Sequence, residues 1–237
     1  HLNLGLGRIS YQDLPRVNKA IADGSFYKNK ILFKAIEYAK SHNGKVHLLG
    51  LVSSGGVHAS LEHLQALIAM MAENKADKFF IHAILDGRDA PFNSGQDFIK
   101  EAEKSLAGGT GQIASLSGRF YAMDRDNHWD RTAKAYEAMV LGKGEKSESA
   151  QAALALSYDK KIYDEEFMPT VIIKNGRPIA TVEDGDAVIF FNYRSDRARQ
   201  LTKAFVLPGF EKFKREKYLR GFFAGFTEYE KNLPMEE

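Results

Sequence analysis

The chain of 237 residues contains no cysteine. This absence excludes disulfide bonds, thiolate catalysis and zinc sites built on cysteine, and it fits a reducing compartment. Long apolar runs are missing as well, since none approaches the roughly 20 residues that span a membrane as a helix. Neither charge sign dominates, because 33 basic and 31 acidic residues leave a net charge of +2. The overall electrostatic potential is therefore too weak to bind nucleic acid or an anionic membrane, and any anion site must be formed locally.

The amino terminus lacks the marks of a natural start. It begins with His1 rather than methionine, and no basic segment precedes an apolar one as in a secretory signal. We therefore expect a fragment or a processed chain, of cytoplasmic origin. What is present is an ordinary globular mixture, 44% hydrophobic and 27% charged, in a length that suits one large domain.

Short apolar runs alternate with longer amphipathic stretches. The runs Val46–Val52, Phe79–Leu85, Gln112–Ser117 and Ala187–Tyr193 have the length and composition of strands, and most are continuously apolar, as in strands covered on both faces. Helical spacing of apolar residues predicts helices over Lys30–His42, Ser60–Glu73, Ser94–Leu106, Asp130–Leu141, Ser149–Tyr158 and Arg197–Phe205. This alternation predicts an α/β fold, a three-layer α/β/α domain with a mainly parallel central sheet.

Two less regular segments complete the predicted fold. Val171–Ala180 reads as a hairpin around Asn175-Gly176, which is a strong hairpin signal. Phe222–Phe226 reads as a last short strand. Both ends of the chain contain few apolar residues that suit a core, and we interpret them as linkers to one central domain.

Polar clusters follow all four of the main predicted strands directly. They are Ser53–His58, Asp86–Asp89, Gly118–Arg119 with Asp124–Asp126, and Arg194–Arg197. Ligands of open α/β sheets bind at the carboxyl ends of the strands, so these clusters are expected at one edge of the sheet.

Arginine is the residue type that these clusters share. A lone arginine is ordinarily one half of a surface salt bridge. Five of them at successive strand ends indicate a small polyanionic ligand, because the guanidinium binds carboxylate or phosphate with two parallel hydrogen bonds. The candidate residues are Arg88, Arg119, Arg125, Arg194 and Arg197, together with His58.

The chemistry of two neighbouring features stays open at this point. The Ser53–Gly56 loop before the helix at Ser60 is either an anion-binding loop or a plain turn, and it matches neither a Walker A nor a GxGxxG pattern. Asp89 would be ionised among cations. It could exchange a proton with a substrate hydroxyl, or it could orient an arginine or cap a helix.

A metal site is not indicated by the spacing of acidic residues. Asp124, Asp126 and Asp130 are interleaved with Arg125 and Arg131, which favours ion pairing. We therefore expect no cofactor bound by this chain itself.

Four segments are similar, in the same order, to signature segments of one enzyme family. They are GLVSSGGVH at 50–58, LDGRDA at 85–90, SGRFYAMDRDNHWDR at 117–131 and VIFFNYRSDR at 188–197. Through them the chain resembles the cofactor-independent, or 2,3-bisphosphoglycerate-independent, phosphoglycerate mutases. HLNLGLGRISYQD at 1–13 and FTEYE at 226–230 resemble that family's connections to its phosphatase domain. Ser54, Ser60 and Ser195 depart from the family's usual Asp, His and Pro.

The resemblance implies a glycolytic and gluconeogenic isomerase that interconverts 3-phosphoglycerate and 2-phosphoglycerate. Its phosphatase domain carries a nucleophilic serine and two Mn²⁺, or Mg²⁺ or Co²⁺, ions, and its inserted phosphotransferase domain holds the glycerate. This chain resembles the inserted domain alone, which by itself would be inactive. The expected organisation is a linker over 1–12, the phosphotransferase domain over 13–222 and a return linker over 223–237.

The resemblance also implies roles for individual residues. Asp89 becomes a candidate acid or base for a substrate hydroxyl. The expected partners are the two phosphoglycerates and the phosphatase domain of the same polypeptide, in a monomer without nucleic acid or membrane. A stand-alone binding module for a small polyanionic metabolite is the alternative. The implied substrate-binding residues are His58, Arg88, Asp89, Arg119, Arg125, Arg194 and Arg197.

Overall fold

A computed structural model describes residues 12–237. Its strands are β1 (Val46–Leu51), β2 (Phe79–Leu85), β3 (Gln112–Gly118), β4 (Glu145–Ser147), β5 (Thr170–Lys174), β6 (Arg177–Pro178), β7 (Ala187–Phe190) and β8 (Phe222–Gly225). They form one sheet in the order β4-β5-β3-β2-β1-β7-β8, and β6 pairs with β5. The five strands from β3 to β8 in this order run parallel, whereas β5 is antiparallel to β3. The predicted mainly parallel sheet is confirmed.

Helices cover both faces of this sheet. They are α1 (Asp13–Ala22), α2 (Lys30–Ser41), α3 (Leu61–Glu73), α4 (Gly95–Leu106), α5 (Arg119–Ala122), α6 (Trp129–Leu141), α7 (Ala150–Asp159) and α8 (Arg199–Val206). Neighbouring residues of β8 show the two layers, since Phe222 contacts Tyr38 of α2 and Phe223 contacts Phe205 of α8. Consecutive residues of a strand point to opposite faces, so the three-layer prediction is confirmed. Within residues 12–237, no helix is long and apolar enough to cross a membrane.

The central strands are buried along their length. All six residues of β1 are buried, as are all four of β7. Coverage on both faces explains why their sequences are continuously apolar rather than alternating. The predicted strands and helices are confirmed to within a few residues, and so is the hairpin, where Asn175 and Gly176 have the positive φ angles of +53° and +75° that a primed turn requires.

Several local features differ from the sequence prediction. Helix α1 was not predicted, because it contributes only Val17 to the buried core. The helix predicted from Ser60 begins one residue later, at Leu61, and the Ser60 side chain caps no backbone amide. The domain boundary predicted at residue 222 falls on the first residue of β8. Beyond it, Tyr229 is buried, and its hydroxyl lies 2.7 Å from the carbonyl oxygens of both Phe190 and Asn192.

A chain of buried polar side chains crosses the sheet away from the carboxyl edge. Ser115 Oγ lies 2.7 Å from His82 Nδ1, His82 Nε2 lies 2.9 Å from His47 Nδ1, and His47 Nε2 lies 2.9 Å from Asp186 Oδ2. With an ionised aspartate, one hydrogen-bond direction satisfies every atom: serine donates to His82, His82 to His47, and His47 to Asp186. Both rings are neutral in this arrangement, and burial lowers the pKa of both histidines.

The hydrogen-bonded series from Ser115 to Asp186 predicts that the folded protein loses stability in acid. Histidine in the unfolded chain titrates near pH 6.5, whereas folded His47 and His82 resist protonation. The contribution of these two histidines to the free energy of unfolding is therefore fully present above pH 6.5 and decreases as the pH falls below it. A histidine that stays neutral at pH 5 contributes up to about 2 kcal/mol to that loss. Urea unfolding at pH 7.5 and pH 5.0 measures it. His82→Asn should be less stable at pH 7.5 but should lose less stability on acidification, and equal losses would contradict the assignment.

Candidate functional site

Parallel pairing brings four strand ends to one edge of the sheet. Leu51 of β1 is in register with Ile84 of β2, and Leu85 of β2 with Gly118 of β3. On the other side, β7 pairs with β1 up to Phe190. The loops that follow these strands therefore start side by side, and they carry all seven candidate residues, with Arg119 as the first residue of α5.

Asp86 connects three of these strand ends. It is buried, and its Oδ1 accepts hydrogen bonds from Arg119 Nη1 at 2.6 Å, from the Asp89 amide at 3.0 Å and from the Arg88 amide at 3.2 Å. Its Oδ2 accepts from Ser53 Oγ at 2.6 Å. Burial alone would raise the pKa of Asp86, but these bonds and the Arg119 charge lower it overall. The ionised carboxylate thus ties the loops after β1, β2 and β3 together.

Arg119 is the innermost cation of the site. Only 3% of its side chain is exposed, and its Nη1 donates to Asp86 Oδ1 and to Asp89 Oδ2, both at 2.6 Å. Burial is the largest influence on its pKa and lowers it, but the bonds to the two carboxylates outweigh burial and raise the pKa overall. Arg119 is therefore charged and fixed in place. Its Nε is buried without a hydrogen-bond partner among residues 12–237.

Two glycines allow the loops to approach one another closely. A Cβ on Gly55 would lie 2.6 Å from the carbonyl oxygen of Asp89. A Cβ on Gly87 would lie 2.7 Å from the Glu165 amide nitrogen, and Gly87 also has a φ of +72°. The Gly55 amide already donates to Ser53 Oγ at 3.0 Å. The structure thus gives this loop a packing role at Gly55 and a supporting role at Ser53.

His58 faces the two carboxylates of the site from the loop after β1. It is 3% exposed; its Nε2 lies 3.9 Å from Asp89 Oδ2 and its Nδ1 lies 3.7 Å from Asp196 Oδ1. These distances are too long for hydrogen bonds, and Nδ1 has no partner within the described part of the chain. Burial first, and then the Arg119 charge, lower the pKa of His58 to about 4. The ring is therefore neutral at pH 7, and its Nδ1 is available for a hydrogen bond to a ligand.

The remaining arginines surround this centre. Arg88 Nη1 lies 3.1 Å from Glu165 Oε1, and both Arg125 and Arg194 pair with Asp196. These three arginine side chains are 46–53% exposed.

Arg197 is the least paired of the five arginines. It donates to the Met123 carbonyl at 3.1 Å, and within residues 12–237 no carboxylate lies within 4.0 Å of it. Burial and then the charges of Arg119, Arg125 and Arg88 lower the pKa of Arg197. An anion bound beside Arg197 would offset the repulsion from these neighbouring positive charges.

The structure thus places all seven candidate residues at one edge, and it adds three carboxylates that sequence reasoning did not select. Asp86 follows β2 directly and precedes a glycine, a position that could have indicated a loop-organising residue. Asp196 lies between two arginine positions in RSDR, where alternating charge is a weak signal of pairing. Glu165 is 77 residues from Arg88 in the chain, and no local pattern connects them.

A metal centre is not formed by the described residues. In this part of the chain no three His, Asp or Glu side chains are grouped so that they could hold a metal ion. Asp124 instead accepts hydrogen bonds from the His128 amide at 2.9 Å and from Gln200 Nε2 at 3.0 Å, and it pairs with Arg131 at 3.4 Å.

The Asp86–Arg119 pair generates a stability prediction. Asp86→Asn keeps the shape but leaves a buried guanidinium with less negative charge, so the free energy of unfolding should fall by about 3 kcal/mol. Asp184→Asn is the matched control, because this exposed carboxylate also accepts a backbone hydrogen bond, from the Arg220 amide at 2.9 Å, and should cost less than about 1 kcal/mol. Urea unfolding followed by circular dichroism measures both, and equal losses would contradict the central role of Asp86.

The chain matches a family model and curated relatives over nearly its whole length. Residues 17–231 match the family described as BPG-independent PGAM N-terminus. The protein named 2,3-bisphosphoglycerate-independent phosphoglycerate mutase of Clostridium perfringens is 49% identical over 234 residues, covering 98% of this chain and 46% of that protein. The protein of the same name from Clostridium acetobutylicum is 50% identical over 231 residues, with coverages of 97% and 45%. The chain thus spans about half the length of the curated relatives it matches.

A solved structure shows the same fold. The crystal structure of Leishmania mexicana phosphoglycerate mutase at low cobalt concentration superposes with a TM-score of 0.87 at 33% identity, covering 92% of this chain and 42% of that one. The similarity in sequence and in fold confirms the resemblance carried by the four strand-end segments. The chain belongs to the family of N-terminal domains of BPG-independent phosphoglycerate mutases.

Proposed function

We propose that this chain is the substrate-holding part of a 2,3-bisphosphoglycerate-independent phosphoglycerate mutase, a cytoplasmic isomerase that interconverts 3-phosphoglycerate and 2-phosphoglycerate. The observation that carries the proposal is the convergence of five arginines, neutral His58 and Asp89 at one sheet edge. Phosphoglycerate offers a carboxylate and a phosphoryl group, and the arginine fork matches both. The phosphotransferase unit comprises residues 13–222 together with the rest of β8 and buried Tyr229, and residues 1–12 and the remainder of 223–237 connect it to a phosphatase domain of the same monomeric polypeptide.

The mechanism makes one particular demand on this domain. When the phosphoryl group leaves the substrate, the glycerate must stay bound and present its other hydroxyl before the group returns. Retention requires donors that are in position beforehand, which lowers the entropic cost of each transfer. Arg119 meets this demand, since Asp86 and Asp89 fix its guanidinium within a buried site.

Asp89 is the proposed acid or base for the hydroxyls. Its carboxylate is 23% exposed, and its Oδ2 accepts from Arg119 Nη1 while His58 Nε2 lies 3.9 Å away. A substrate hydroxyl between Asp89 and His58 would find a carboxylate acceptor on one side and a neutral imidazole on the other. This arrangement allows a proton to be held at Asp89 Oδ2 while the hydroxyl oxygen reacts.

The phosphoryl group itself is handled outside this chain. A serine of the phosphatase domain would accept it, and two Mn²⁺ or similar ions there would stabilise its charge. The residues described here bind the glycerate, orient its hydroxyls and, once the other domain covers the open edge, exclude water.

Binding of 3-phosphoglycerate tests the arginine cluster. Arg194→Ala should weaken binding about tenfold or more, because one charged bidentate contact is lost. Arg177→Ala is the matched control, because this arginine lies in the exposed β6 of the hairpin and should not change the affinity. Calorimetric titration of the purified chain measures both, and equal affinities of the two variants would count against the site.

Activity measurements test the division of labour. This 237-residue chain should show no mutase and no phosphatase activity with or without Mn²⁺, whereas the full-length enzyme should be active without added bisphosphoglycerate and should lose activity to a chelator. In the full-length enzyme, Asp89→Asn should lower kcat about a hundredfold or more and change KM much less, as for loss of a proton-transfer group. Turnover by the isolated chain would overturn the division, and an unchanged kcat would reduce Asp89 to a structural residue.

A further inference from the structure

Asp196 lies between two arginines that reach the site from different strands. Its Oδ2 accepts a hydrogen bond from Arg125 Nη1 at 2.8 Å, and its Oδ1 lies 3.1 Å from Arg194 Nε. Arg125 follows β3 and Arg194 follows β7, and β2 and β1 separate these strands in the sheet. Within residues 12–237, Asp196 is the only carboxylate within 4.0 Å of either guanidinium.

Asp196 is anchored by its loop, whereas the two arginine side chains have more conformational freedom. Its loop is held by the amides of Tyr193 and Arg194, which donate to the His58 carbonyl at 2.8 and 3.4 Å. The aspartate side chain is short and only 25% exposed, and its Oδ1 is fully buried. An arginine has more rotatable bonds and loses more entropy when it is ordered. A short, anchored acceptor therefore determines where the two long side chains come to rest.

The pairing leaves most of each guanidinium available. Asp196 accepts a hydrogen bond from one nitrogen of Arg125 and forms an ion pair, but no hydrogen bond, with Arg194 Nε. Each guanidinium carries five N–H donors in a planar fork. The two side chains remain 46% and 51% exposed. Arg125 thus contacts Asp196 through one hydrogen bond and Arg194 through an ion pair, and both can present further donors to a ligand. The Oδ1 of Asp196 is buried, so it is screened from solvent at the site.

We propose that Asp196 is a positioning residue that holds Arg125 and Arg194 together as one anion-binding pair without contacting the ligand itself. The pair brings together the loops after β3 and β7. One ligand can therefore bind two guanidinium groups that are already in position. The identity of that ligand, phosphoglycerate, rests on the proposed function, whereas the positioning itself does not.

The effect of Asp196→Asn on affinity separates this role from simple electrostatics. Removing a negative charge beside an anion site should strengthen anion binding if the carboxylate only competes with the ligand. If the carboxylate positions the arginines, the same change should weaken binding because both side chains lose the charged contact that orders them, and the asparagine amide offers only one neutral acceptor oxygen. The two roles therefore predict opposite signs.

The ligand-free chain provides the first measurement. Nitrogen relaxation of the Arg125 and Arg194 Nε–Hε groups should show two ordered side chains that become mobile in Asp196→Asn. Asp97→Asn is the matched control, since this carboxylate lies on α4, is 84% exposed and is 3.7 Å from Lys100, and it should change neither signal. Arg125→Ala should shift the Arg194 signal when Asp196 is present and not in the Asp196→Asn background. Unchanged mobility in Asp196→Asn would overturn the proposal.

The second measurement is calorimetric binding of 3-phosphoglycerate to the same variants. Asp196→Asn should bind about fivefold more weakly or worse, as for residues coupled through one shared partner, and Asp97→Asn should bind normally. An unchanged or tighter affinity of Asp196→Asn overturns the positioning role. If the unsubstituted chain binds no phosphoglycerate, the proposed function fails, and inorganic phosphate replaces it as the probe while the mobility measurement still decides the role of Asp196.

Discussion

The buried Asp86–Arg119 pair is the interaction on which the rest of the site depends. Removing two charges from water is costly, and the attraction between them offsets that cost only where other hydrogen bonds satisfy the remaining atoms. Asp86 meets this condition with donors from the loops after β1, β2 and β3. The pair therefore converts three separate strand ends into one rigid surface, and Asp89 is fixed to that surface by its amide and its carboxylate.

The parallel sheet made much of this predictable from sequence. Strands covered on both faces are continuously apolar, so β1, β2, β3 and β7 could be predicted from their apolar runs. The residues that follow these strands were then the expected ligand-binding positions. All parallel strands end at the same edge, so convergence of the arginines followed without any knowledge of side-chain contacts. The strand-end positions and the motifs of a mutase family both indicated the same residues, among them Arg119 and Arg194.

The pairing of these arginines could not be predicted, because it depends on residues far apart in the chain. Glu165 comes from a short turn that packs against Gly87, and it reaches Arg88 across 77 residues. Asp196 reaches Arg125 across 71 residues. Local spacing carries no information on such contacts. For the same reason the antiparallel position of β5 was not visible, since only the hairpin turn it enters has a sequence signal.

The site divides into an inner and an outer part with different physical properties. Arg119 is buried and held by two carboxylates, and His58 is buried beside the same carboxylate of Asp89, so they suit orientation of a substrate at the reacting atoms. Arg88, Arg125 and Arg194 are about half exposed and are held by carboxylates at the rim. Contacts in water are weak, because solvent screens them. On the proposed function, the contacts of the outer arginines therefore become stronger still when a second domain covers this edge and excludes water, so that closure itself strengthens the hold on the glycerate while its phosphoryl group is elsewhere.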